Sequence, residues 1–291
     1  MPPRRPLLAL LALAALPLAD ARAAAASAEL KVVSYNVRNS NAKDGEDAWP
    51  KRIDFFFDTI KALAPDLIGF QEVLPDQHDA IVARMAGYAF AGVARDAGKR
   101  AGEWSNIGWR TARFTEVARG DFWLSETPDV AGSKSWDAAL TRICSWVRLR
   151  DQANGREFIY ANTHFDHVGK VARYEASKLI ARRVAALAAG APALLTGDLT
   201  INEDNPAYAV LVRPESADAI RWIDAFRTVH PARGPDEASF HGFKGTVKGS
   251  RIDFVFHSSH FVARAAAIDR ASRHGRYPSD HYPVWAVIAW K

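Results

Sequence analysis

One cysteine, Cys144, stands among the 291 residues, so no disulfide can close within the chain whatever compartment holds it. Set in the strand-like run Ile143-Cys144-Ser145-Trp146-Val147, it reads as a small buried hydrophobe rather than a nucleophile. There is no Ser/Gly-rich run, no proline tract, no long block of one charge sign and no internal repeat, which excludes linkers, basic tails and solenoids. A membrane-spanning run is missing too. The apolar stretch at residues 7–18 covers about 18 Å as a helix, against a hydrocarbon core of ~30 Å. With Arg4 and Arg5 before it and small residues through Ala28 after it, this stretch is expected to be a secretory signal over residues 1–26. Residues 27–291 are then expected to form one catalytic domain, a periplasmic or secreted monomer. With cleavage after Ala21, Arg4, Arg5 and Asp20 leave and the formal charge of +5 falls by one. Spread without a Lys/Arg block, that charge permits phosphate binding and does not demand nucleic acid.

What is present is an ordinary globular composition, 48% hydrophobic and 24% charged, so a sizeable core is available. Residues 30–37 (LKVVSYNV) form an apolar, β-rich run suited to a strand buried on both faces. Ile53, Phe56, Phe57, Ile60 and Leu63 recur at helical spacing over residues 49–64, and Pro65-Asp66 breaks that helix before a short strand at 67–70. A second helix is expected at 75–85. Strands at 142–150 and 156–164 flank an Asn-Gly turn, a hairpin signal. Residues 168–189 read as an amphipathic helix stopped by Gly190, followed by a strand at 193–196 and a short helix at 206–212. Strands at 251–257, 261–267 and 283–290 complete the pattern. Many strands with few, separated helices predict an α/β protein with sheets stacked face to face and helices outside.

The polar residues fall at strand ends. Of Asn36, Glu72, His164, Asp198, Asp253, Asp280 and His281, most close, follow or directly precede an apolar segment. If the strands lie side by side, those ends converge on one rim, with carboxylates for a hard cation and two imidazoles for phosphate and proton transfer.

Six short motifs carry these residues: Ser-Tyr-Asn-Val (34–37), Gln-Glu-Val (71–73), Asn-Thr-His-Phe-Asp-His (162–167), Gly-Asp-Leu-Thr (197–200), Arg-Ile-Asp-Phe-Val (251–255) and Ser-Asp-His-Tyr-Pro-Val (279–284). In this order they resemble the motif set of the endonuclease/exonuclease/phosphatase superfamily, which includes deoxyribonucleases, abasic-site endonucleases and neutral sphingomyelinases. The resemblance implies a four-layered α-β-β-α sandwich of two mostly antiparallel sheets, and hydrolysis of a phosphoester by in-line water attack with Mg²⁺ or Mn²⁺. It implies Glu72 as principal metal ligand, with Asn36 beside it and Asp280 as a neighbouring metal or water ligand. His281 and Asp253 then form an imidazole–carboxylate pair, His164 contacts the phosphoryl oxygen, and Asp198 orients or deprotonates the attacking water.

One position departs from the family's Gly-Asp-x-Asn pattern: Thr200 stands where an amide is usual, and Asn202 is the residue that could take its place. Arg142 either reaches a phosphate or forms a surface ion pair. Residues 102–106 and 125–128 are loops that could wall the site, and Trp104, Trp123 and Trp136 are aromatic surfaces for a base, sugar or lipid unless they pack the core. Three functions stay open at this level: a phosphodiesterase or phosphatase on a small or lipid-derived phosphoester, a secreted nuclease on DNA or RNA, and a non-catalytic phospholigand-binding relative.

Overall fold

The computed structural model describes residues 29–291; the expected export signal lies outside them. In chain order the elements are β1 (Glu29–Asn36), α1 (Trp49–Leu63), β2 (Leu67–Gln71), α2 (Pro75–Arg84), β3 (Tyr88–Ala91), β4 (Ile107–Arg110), β5 (Phe114–Trp123), β6 (Ile143–Asp151) and β7 (Glu157–His164). There follow α3 (Lys170–Ala188), β8 (Ala193–Asp198), α4 (Pro206–Val212), β9 (Ile223–Asp224), α5 (Ala225–Val229), β10 (Asp253–His257), β11 (Phe261–Ile268) and β12 (Val284–Trp290). They build two six-stranded sheets, ordered β11-β12-β1-β2-β4-β3 and β5-β6-β7-β8-β10-β9. Each sheet has one parallel pair, β1 with β2 and β7 with β8, and its other pairings are antiparallel. The four-layered α/β sandwich is therefore the architecture observed.

The layers follow from strand alternation. Val32, Leu67 and Trp109 of one sheet meet Leu149, Tyr160 and Leu194 of the other in a core between the sheets. Their neighbours Val33, Tyr35 and Ile68 point the opposite way, onto Phe56, Ile60 and Leu63 of α1. Ile159, Ala161 and Leu195 likewise face Ile180 and Val184 of α3. A strand covered on both faces buries both sets of alternating side chains, which is why β1, β2 and β8 show no period of two. Helix α1 stops at Leu63 because Ala64 takes a left-handed conformation (φ 47°) ahead of Pro65.

Topology alone gathers the strand ends. A parallel pair joined by a helix ends both strands on one edge, and the registers set Asn36 beside Gln71 and His164 beside Asp198. Strand β10 runs antiparallel to β8 and starts opposite its end, Asp253 against Asp198. Strand β12 starts opposite Ser34, so residues 279–283 enter at the same edge. Directly beneath lies a buried polar layer. The Asn162 amide donates to Phe70 O (2.7 Å) and Asn106 O (3.1 Å) and accepts from Gln71 Nε2 (2.8 Å) and Thr196 Oγ1 (2.9 Å). Gly69 leaves room for this bridge, since a Cβ there would overlap Thr196 Oγ1 and Asn162 Oδ1. The amide is satisfied four times over, so its burial costs little and it locks the two sheets in register.

Candidate active site

Asn36 is the hub. Fully buried at the end of β1, it donates from Nδ2 to Glu72 Oε1 (3.1 Å) and to Asp198 Oδ2 (2.9 Å), while Oδ1 accepts from Arg38 N (2.9 Å). Its oxygen is thus engaged by the backbone, and its amide N–H groups orient the two carboxylates. Glu72 sits just past β2 with φ 62°, a conformation that costs a non-glycine residue about 1–3 kcal/mol and that clusters at functional positions. Asn39 secures its other oxygen through N (3.1 Å) and Nδ2 (3.0 Å). Burial pushes the Glu72 carboxyl up, but His281 and the amides of Asn36 and Asn39 outweigh it and hold the group below its usual range.

His281 Nδ1 bonds Asp253 Oδ2 at 2.9 Å, and its Nε2 lies 3.6 Å from Asp198 Oδ2. Burial disfavours the imidazolium, yet the Asp253 and Asp198 carboxylates prevail and raise His281 well above the ordinary imidazole range. Asp198 is in the converse position. Burial and then the neighbouring Asp253 charge push its carboxyl up to about 7, partly opposed by His281, Asn36 and the Thr200 N–H (2.9 Å to Oδ1). His164 Nε2 stands 3.5 Å from the same Asp198 oxygen. Burial, followed by Arg142 and Arg95, lowers His164 far below its usual value, so it is a neutral ring. One imidazolium, one neutral imidazole and one carboxylate poised near neutrality thus surround a single point: a proton donor, a hydrogen-bonding group and a proton acceptor.

These residues floor an open cleft of about 410 Å³ lined by Arg38, Asn39, Glu72, Glu103, Arg142, His164, His167, Asp198, Thr200, Phe240 and His281, among others. Arg142 lies deep in its wall, bonded to His167 Nδ1 (3.1 Å) and 3.5 Å from Asp166 Oδ2. Asp280 is buried behind the floor, 3.6 Å from Arg38 Nε. Thr200 reaches the cleft with φ 51°, and its hydroxyl donates to Asp166 O (3.0 Å) and Leu199 O (2.7 Å). Asn202 does not reach it: its Oδ1 accepts from Asp204 N (3.1 Å) in a local turn. Glu103 brings the loop at 102–106 into the wall, whereas the loop at 125–128 folds on itself through Ser125, Thr127 and Ser133. Trp104 and Trp123 are core residues, Trp104 stacked on His78 and Trp123 donating from Nε1 to Arg95 O. Of the two readings left open for these indoles, core packing is the one observed, and they support the wall from behind.

Asp198, Asp253 and His281 place ligand-type atoms within 4.8 Å of one another, a group able to hold a metal ion. Within it Asp253 Oδ2 is held by His281 Nδ1, while Asp253 Oδ1 is buried with no hydrogen-bond partner among the described residues. Glu72 lines the cleft, its Oε1 accepting one hydrogen bond and its Oε2 two.

Arg52, which belongs to none of the six motifs, clamps this floor. From α1, and nearly buried, its guanidinium donates to Asp47 O (2.9 Å), Val37 O (2.8 Å), Pro278 O (2.8 Å) and Arg38 O (2.8 Å). It thereby ties the end of β1, which carries Asn36, to the segment carrying Asp280 and His281. Arg52→Lys keeps the charge but loses the planar fork. It is expected to lower kcat about tenfold or more while moving KM less than threefold, since misplacing groups acting in the transition state costs rate rather than binding. Steady-state kinetics check this, and a fall in Tm with unchanged kcat would reduce Arg52 to a structural role.

A two-sheet sandwich with carboxylates and imidazoles gathered where its parallel strands end defines a class of hydrolases that act on phosphoester bonds. The chain belongs to the Endonuclease/Exonuclease/phosphatase family, whose model matches residues 33–281. Among solved structures, it is similar to a mannosyl-6-phosphatase of Bacteroides thetaiotaomicron: 36% identity, TM-score 0.82, covering 90% of this chain and 100% of that one. A second family protein of the same organism matches at 35% identity and TM-score 0.84, covering 90% and 95%. An uncharacterised protein of Acanthamoeba polyphaga mimivirus is 25% identical over 223 residues, 63% of this chain and 32% of that protein, so the chain spans about a third of the length of this curated relative.

Proposed function

We propose that this protein is a divalent-metal-dependent phosphoester hydrolase that acts as a phosphatase on small, hydroxylated phosphomonoesters. The observation that carries the reading is the Asn36 amide: it joins the Glu72 and Asp198 carboxylates, and both imidazoles lie within 3.6 Å of that same Asp198 oxygen. The cleft volume falls in the range of small-molecule sites. The mannosyl-6-phosphatase named above supports a sugar-like substrate.

The donor set suits Mg²⁺ or Mn²⁺. Such ions bind through one or two carboxylates and keep several waters, and Glu72 offers one carboxylate to the cleft with Asp198 beside it. When bound, the ion supplies positive charge against the non-bridging phosphoryl oxygens. The chain's own groups do the rest. Asp198, fixed by Asn36 and the Thr200 N–H, accepts the proton of the attacking water. The His281 imidazolium, fixed by Asp253, places charge and a proton at Nε2 beside the phosphoryl group. His164 contributes a neutral hydrogen bond, and the Arg142 guanidinium holds a buried positive charge in the wall.

A panel of phosphomonoesters and phosphodiesters assayed with Mg²⁺ or Mn²⁺ tests this. Monoester turnover is expected, with none in excess chelator. Glu72→Gln, which deletes one negative charge at the mouth of the site, should raise the metal concentration for half-maximal rate about tenfold or more. Full activity in chelator would refute the reading, turnover confined to nucleic acid would replace it with a nuclease, and binding without turnover would make the protein a phospholigand receptor.

A further inference from the structure

The catalytic floor leaves one part of the cleft unused. In its wall, Arg95 and Glu103 face each other across a tight loop: Arg95 N donates to Glu103 O (3.0 Å) and Arg95 Nη1 to Glu103 Oε2 (2.5 Å). The pair is pinned from outside by the Trp123 indole on Arg95 O and by the bridges of Trp104 to Val73 and Ala94. The side chains are only 10% and 17% exposed, and Glu103 lines the cleft together with Glu72 and Asp198. A third carboxylate there repels a phosphoryl group, so it gives nothing to phosphate binding. A buried ion pair also brings little net stability over apolar packing. Its chemistry fits the other half of the ester: a rigid anionic acceptor for hydroxyl donors, held in place by a guanidinium. The same cleft presents Phe240, 49% exposed, with its ring centroid 5.0 Å from the His281 ring and its backbone bridged to His281. An aromatic ring left half open beside the reacting centre offers a flat apolar face that the protein itself does not cover.

We infer that Glu103, held by Arg95, and Phe240 form the subsite for a neutral, polyhydroxylated leaving group, a sugar-like ring whose C–H face lies on Phe240 and whose hydroxyls donate to Glu103. The inference rests on the hydrolase reading of the same cleft and narrows it. A second phosphate on the leaving group would meet Glu103, so bisphosphates and nucleic-acid strands are disfavoured by charge.

The test compares the Mg²⁺-loaded full chain with Glu103→Gln and Glu103→Asp on three esters: a hexose monophosphate, the matching hexose bisphosphate and phenyl phosphate, which has no hydroxyls on its leaving group. The wild type should prefer the hexose monophosphate to both others. The ratio of kcat/KM for hexose monophosphate over phenyl phosphate should fall about 10- to 10²-fold in Glu103→Gln, the scale of one hydrogen bond to a charged acceptor. Glu103→Asp keeps the charge against Arg95, withdraws the acceptor, and should lower the ratio as well. A ratio unchanged within about threefold in both variants, or a wild type indifferent to hydroxyls, overturns the inference. Calorimetric binding of the hexose monophosphate and phenyl phosphate separates this failure from that of the hydrolase reading. If no ester turns over, tighter hexose monophosphate binding that is lost in Glu103→Gln upholds the subsite, and equal binding of the two esters overturns it.

Discussion

Asp253→Asn is expected to fold, to bind substrate within a few-fold of wild type, and to lose turnover by about 10²-fold or more at neutral pH. Asn is isosteric with Asp, and Asp253 is fully buried with its Oδ2 on His281 Nδ1, so the substitution changes charge and proton placement without opening a cavity. Either amide orientation harms the pair. An amide N–H facing Nδ1 forces the proton to Nε2, and an amide oxygen facing it keeps the tautomer but no longer stabilises the imidazolium. Burial, which opposes the charge, then acts with less opposition, and His281 drops toward or below its ordinary range. The sign follows: His281 in the wild type is held above its unfolded value, so its protonated form persists through neutral pH and is lost only on the alkaline side. In the variant that loss moves to lower pH. A kcat–pH profile checks the claim, with the alkaline limb displaced toward acid and partial recovery of rate near pH 6. A variant with wild-type kcat across the profile would mean that Asp253 does not govern His281.

Much of this arrangement was legible in the sequence, for a physical reason. Strands buried on both faces are mostly apolar, so charged and imidazole side chains gather at their ends, while an interior polar residue such as Asn162 needs all its hydrogen bonds met. Asn36, Glu72, His164, Asp198 and Asp253 stand out on that ground alone. The helices α1 to α4 and strands β1, β2, β6 to β8 and β10 to β12 carried enough apolar pattern to be placed within a few residues. Strands β3, β4, β5 and the two-residue β9, and helix α5, carry no such pattern. β3 and β4 are four residues each, β5 mixes buried and exposed positions around a register shift at Glu116/Ala118, and α5 has five residues, too few for a period to show. The clamp by Arg52 and the Arg95–Glu103 pair were invisible for another reason. Their meaning lies in backbone carbonyls and loop contacts distant in the chain, and no local pattern encodes those.

The loop after β8 shows where reading by motif stopped short. Thr200 holds a left-handed conformation that suits asparagine or glycine far better than a β-branched residue, and its hydroxyl is spent on two backbone carbonyls. What it delivers to the site is its N–H, donated to Asp198. That contribution comes from the backbone and is independent of the side chain, so the departure from the family pattern leaves the orientation of Asp198 intact. Asn202 accepts from Asp204 N in its own turn and does not line the cleft, where Thr200 does.

Asp198→Asn should show the site's opposition between stability and function most directly. Turnover is expected to fall about 10²- to 10⁴-fold, because the amide cannot accept the water's proton. Stability should move the other way. The Asp198 carboxyl is pushed up to about 7 by burial and by Asp253, above the ordinary value of 3.8 that it regains on unfolding. A carboxyl raised in this way contributes stability that is fully present below about pH 4 and is lost as pH climbs through 7, because the folded state then buries a charge it disfavours. Asparagine carries no such charge. In chelator, so that no added cation offsets the carboxylate, the variant's Tm should exceed that of the wild type at pH 8, with the difference shrinking toward pH 4. Paired thermal melts across that range read the linkage, and single-turnover rates on the preferred monoester read the loss of the base. A Tm difference that stays flat with pH would mean that Asp198 carries no raised pKa in the folded chain. A variant that kept its rate would place the proton acceptor elsewhere on the rim.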